Sequence, residues 1–100
     1  MRTGREVRAR VLRNEEHGMA WTAGGGTIAP GATQEWTFDW GGNGDVGPQL
    51  IQARPLNPNG LLFTTEIGEV LDGNNHLSYR ARVRNAGPLT VTFQWRGGSV

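Results

Sequence analysis

Residues 76–96 carry the pattern that most restricts what this chain can fold into. Leu77, Tyr79, Ala81 and Val83 alternate with Ser78, Arg80, Arg82 and Arg84, and then Leu89, Val91, Phe93 and Trp95 alternate with Thr90, Thr92, Gln94 and Arg96. A period of two is the mark of half-buried strands, because successive side chains leave opposite faces. The apolar residues of both arms have odd numbers. If the arms pair as a β-hairpin, those residues share a face only when the loop holds an odd number of residues. The pattern therefore predicts a hairpin with the loop Asn85, Ala86 and Gly87, Gly87 taking the left-handed position.

The same alternation marks the other strands. Residues 5–13 place Val7, Ala9 and Val11 opposite Glu6, Arg8 and Arg10, and a turn at 15–18 leads to a short strand at 19–22. Residues 23–32 read as loop, because three consecutive glycines carry a large entropic cost inside an element and Pro30-Gly31 is a turn pair. Residues 33–40 form a strand with Trp36, Phe38 and Trp40 on one face, followed by a glycine-rich loop at 41–48. Residues 49–56 read as a strand with Leu50 or Ile51 inward. Residues 61–71 alternate through Leu61, Phe63, Thr65 and Ile67 until Gly68 changes the parity as a bulge and brings Val70 to the face. No segment shows a helical period. The expected fold is all-β, an antiparallel sandwich of six to seven strands in a single domain spanning residues 1–100.

One segment carries a resemblance. Tyr79, Ala81, Val83, Asn85 and Gly87 at every second position resemble the Tyr-x-Val-x-Val-x-Asn-x-Gly penultimate strand and turn of bacterial immunoglobulin-like and fibronectin-type-III-like domains. The resemblance implies an immunoglobulin-like sandwich in which the Tyr79 hydroxyl bonds back to the backbone, and it implies no particular ligand. Ala81 stands where an antibody domain has cysteine, and the candidate third strand has no tryptophan.

Composition narrows the chemistry. The absence of cysteine excludes disulfides, thiolate metal sites and a cysteine nucleophile. No apolar run approaches the roughly 20 residues of a membrane span, and the first residues lack the apolar core of a signal peptide, so localisation is left open. Ser78 and Ser99 are the only serines. His76 stands two residues from Ser78 on one strand face, too far along it for a nucleophile and base, and reads as a surface histidine beside a turn. Glu35 and Asp39 share a face at a separation too wide for paired-carboxylate hydrolysis. No cofactor, metal site or catalytic set is expected, and the chain reads as a binding module and not an enzyme.

Two residue groups are candidates for binding. Residues 1–13 and 80–100 hold nine arginines against Glu6, while residues 14–79 hold eight acids against Arg54. Arg8, Arg10, Arg80, Arg82, Arg84 and Arg96 fall on the outer sides of strands and form a candidate interaction face if those strands are neighbours. Such a face either binds an anionic partner or is neutralised by Glu35, Asp39, Glu66 or Glu69 across the sheet. With basic ends and an acidic middle, a protein partner or self-association is favoured over nucleic acid. The alternative is a carbohydrate-binding module with a glycan partner, using Trp36 and Trp40 with Asn43, Asp45 and Asn74 from the loops.

Overall fold

The computed structural model describes residues 6–10 and 20–100, with the backbone alone described over 6–10. The regular structure there is all strand: β1 (Glu6–Arg10), β2 (Ala20–Ile28), β3 (Thr33–Asp39), β4 (Gln49–Pro55), β5 (Leu62–Leu71), β6 (Leu77–Asn85) and β7 (Val91–Ser99). Two antiparallel sheets of three strands result. Sheet A has the order β3-β6-β5 and sheet B the order β2-β7-β4, while β1 lies parallel to β3 at the edge of sheet A. The expected turn at 15–18 and the reading of residues 11–13 lie outside the described residues.

The core is where the alternating faces of the two sheets meet. Sheet A contributes Trp36, Phe38, Tyr79, Ala81 and Val83, and sheet B contributes Trp21, Ile28, Ile51, Val91, Phe93 and Trp95. Burial of each large side chain contributes roughly 1.5–3 kcal/mol. The rings meet edge to face across the gap: Phe38 and Trp95 have centroids 5.1 Å apart at 86°, and Trp36 and Phe93 are 5.8 Å apart at 74°. Such pairs add about 0.5–1.5 kcal/mol each beyond their burial.

The predicted hairpin does not form. β6 pairs with β3 and β5, whereas β7 pairs with β2 and β4, so the two alternating arms face each other from opposite sheets. Tyr79, Ala81 and Val83 of one arm and Val91, Phe93 and Trp95 of the other are buried together, as the pattern requires, but through the core and not side by side; Leu77 is half-buried, and Leu89, expected inward, is 44% exposed because it lies in the connection between the sheets. The connection between the arms is held by Asn85, which is fully buried. Its Nδ2 donates to the carbonyls of Ile28 (3.0 Å) and Leu89 (2.7 Å), and its Oδ1 accepts from the Gly87 amide (3.0 Å). These bonds satisfy backbone groups that a crossing between sheets would otherwise strand.

Two other expectations change. Gly24, Gly25 and Gly26 lie inside β2 and not in a loop. The register of β2 against β7 shifts between Ala23 and Gly25, and a Cβ on Gly25 would overlap the Phe93 carbonyl. Glycine here allows close approach of two backbones at a bulge, which outweighs its entropic cost. In β5 the shift falls between Thr64 and Glu66, not at Gly68. Leu62 is therefore half-buried and Phe63 is 50% exposed, the reverse of the predicted facing. In β4, Ile51 is the buried residue and Leu50 points outward.

Candidate functional site

The arginines do not form one face. Arg80, Arg82 and Arg84 lie along β6 in the middle of sheet A, but Arg96 belongs to β7 in sheet B. Because β7 does not pair with β6, Arg96 is carried to the far side of the molecule. There it lines a groove of about 460 Å³ with Ala20, Thr22, Leu50, Gln52 and Gly98. Arg8 and Arg10 occupy register positions beside Thr37 and Asp39 of β3, and β3 separates β1 from β6.

Carboxylates of the same molecule answer Arg82. Its register partners are Glu35 on β3 and Glu66 on β5. One guanidinium nitrogen meets Glu35 Oε2 at 3.2 Å and another meets Glu66 Oε1 at 2.7 Å, a three-residue chain of charge across the sheet. All three side chains are more than a third exposed or close to it, so solvent screens the pairs and each adds tenths of a kcal/mol, up to about 1 kcal/mol. Beside this chain Gly68, Glu69 and Arg80 complete a shallow depression of about 400 Å³.

The aromatic set is core. Trp36, offered as a sugar platform, is 5% exposed, and its ring packs on Phe93 and Trp95. Trp40 is half-buried, with its ring 5.3 Å from Trp21 and 5.1 Å from Tyr79. Asn43, Asp45 and Asn74 are exposed, but two of them are engaged in shaping their own loop. Asn43 Oδ1 accepts from the Asp45 amide, and Asp45 Oδ1 accepts from the Gly47 amide. The sugar site proposed from sequence thus loses its central ring and keeps only loop polar groups.

The loop at 41–47 is fastened at two points near the start of β6. Tyr79, which is 1% exposed, donates its hydroxyl to the Gly47 carbonyl at 2.8 Å and accepts from the Val46 amide at 3.1 Å. Burial pushes its phenol above the ordinary value. The second fastening is His76, just before β6. Its Nε2 lies 2.8 Å from Asp39 Oδ1 at the end of β3, and its Nδ1 lies 2.7 Å from the Gly42 carbonyl. The Leu77 amide donates to the Asn43 carbonyl at 2.7 Å. Gly44 has φ +81, and a Cβ there would overlap the Leu77 carbonyl, so the loop can seat this closely only with glycine at that position.

Comparison with family models, with curated proteins and with solved structures finds no match. The chemistry is left to the residues themselves. Among the described residues, no group of three or more His, Asp or Glu is placed to hold a metal ion, and no helix is long and apolar enough to cross a membrane.

The role of His76 was not visible in the sequence. Its partners are 34 and 37 residues away, and only the folded register brings them to the ring. The turn it belongs to was legible: Asp72 Oδ1 accepts from the Asn74 and His76 amides, a local pattern that Asp-Gly-Asn-Asn announces.

Proposed function

We propose that this chain is an immunoglobulin-like sandwich module that acts by binding, and that it self-associates when a strand from a second copy adds to the open edge of β5. The two facing sheets and the Tyr79 hydroxyl bonded to backbone support the architecture, although β6 and β7 lie in different sheets where the last two strands of an immunoglobulin domain are neighbours.

The observation that carries the reading is the β5 edge. β5 pairs with β6 on one side, and from Thr65 to Asn75 every residue is exposed. Phe63 (50%), Ile67 (45%), Val70 (36%) and Leu71 (62%) present apolar surface along it. An open strand edge of this kind is a template for pairing with another chain. Glu66 and Glu69 disfavour an identical β5 edge as the partner, since like charges would oppose each other. The arginine-bearing β1 stands at the opposite edge of sheet A, so the edge of one copy complements that of the next in charge. Such a head-to-tail contact extends and does not close.

Light scattering after size exclusion tests the reading. The mass should rise with concentration and fall when salt screens the edge charges, and Ile67→Lys should leave a monomer with an unchanged circular dichroism spectrum. A native chain that stays monomeric at high concentration in both low and high salt would refute self-association.

A further inference from the structure

The geometry points to a proton-dependent latch: His76 ties the loop at 41–47 to the turn at 72–76 through both ring nitrogens only while its ring is protonated, and the loop loosens when the ring loses a proton.

The argument rests on the partners of the two ring nitrogens. Nδ1 faces the Gly42 carbonyl at 2.7 Å and Nε2 faces the Asp39 carboxylate at 2.8 Å, and both partners are acceptors. A neutral imidazole has one N–H and one lone pair, so it can satisfy only one of them; the other contact then sets lone pair against lone pair. An imidazolium satisfies both. Among the described residues, the charged groups facing the ring are Asp39 at the end of β3 and Asp72 in its own turn, both carboxylates, while the loop itself offers the ring a backbone carbonyl. These surroundings hold the imidazole above its ordinary value, the Gly42 carbonyl first and the Asp39 carboxylate next. The two partners lie three residues apart where β3 runs into the loop, and the Gly41 amide also donates to Asp39 Oδ1 at 2.9 Å; the ring that joins both comes from the turn before β6, 34 and 37 residues away. The proposal is independent of the β5 edge, which lies along a different strand.

Amide hydrogen exchange on the full chain tests it, after correction for the intrinsic base-catalysed rate. The reporters are the Leu77 amide on the Asn43 carbonyl and the Gly44 amide on the Gly41 carbonyl. In the native chain their protection should fall about two- to tenfold as pH rises through the His76 titration, the size expected for one lost hydrogen bond. The Asn85 amide, bonded to the Ala32 carbonyl at the far end of β6, should stay flat. In His76→Gln, which cannot titrate, Leu77 protection should be independent of pH. In Asp39→Asn the native transition should move to lower pH, because the charge that favours the imidazolium is gone. Flat protection in the native chain, the same fall in His76→Gln, or an unmoved transition in Asp39→Asn would each overturn the latch.

Discussion

At one end of β6 the neutral side chain of Asn85, shut off from water, makes its three hydrogen bonds at every pH, whereas at the other end a partly exposed imidazole makes its two only while it carries a proton. Both ends face the same problem, since a connection between strands arrives at the sandwich and its backbone groups need partners. The Asn85 end solves it by burial. The His76 end solves it with charge, and so remains open to the medium. Its stability is bounded on both sides. The His76 ring, raised above its ordinary 6.5, contributes fully below that value, and the contribution is lost as pH rises through the raised one. Asp72, lowered from its ordinary 3.8 by the amides of His76 and Asn74, contributes above that value and loses its share as pH falls through the lowered one. The turn is firmest between the two.

The sharpest way to break the comparison is Asn85→Ala. It leaves the Ile28 and Leu89 carbonyls and the Gly87 amide without their side-chain partner, a loss of about 2–4 kcal/mol by chemical denaturation, equal at pH 5 and pH 9. A loss that varied with pH would mean the two ends are coupled. Tyr79→Phe is the next largest. It removes the hydroxyl that donates to Gly47 and accepts from Val46 while keeping the ring against Trp40, and should cost about 1–2 kcal/mol. The variant should also make loop exchange at 41–47 more sensitive to pH, since His76 then holds the loop with less help.

The same contrast explains what the sequence could say. Alternation told which side chains of β3, β6 and β7 turn inward, because a strand half in water and half in the core has no other stable pattern. It said nothing of which strand lies beside which. The odd-numbered faces of β6 and β7 are satisfied equally by a hairpin and by two sheets facing each other. Asn85 decides between them, since a buried side chain with two donors and an acceptor serves a crossing better than a tight turn. The glycines of β2 misled for a related reason: their entropic cost is visible locally, while the Phe93 carbonyl that requires Gly25 is far away in sequence. Charge was the most legible property of the candidate site and the least diagnostic. Arg82 was visible, and so were its partners, but only the register of β6 between β3 and β5 places Glu35 and Glu66 on either side of it.

Arg82 stands midway between the two ends, and its removal is the smallest effect and the control for both. Arg82→Gln should lower stability by about 0.2–1 kcal/mol in low salt, and less once salt is added, because the guanidinium is 37% exposed and its partners 34% and 65%. A double-mutant cycle with Glu66→Gln measures the share that belongs to the 2.7 Å pair. Exchange at neither end of β6 should change, since the charge chain runs across the strand and touches neither Asn85 nor His76. A cost of several kcal/mol would mean that the outer face of sheet A is built for structure, with Arg82, Glu35 and Glu66 already committed to one another. A cost within the expected range leaves that face cheap to rearrange. The same arginine then exchanges an internal carboxylate for one presented by a second copy with little penalty, and the charge division of the chain is available for assembly.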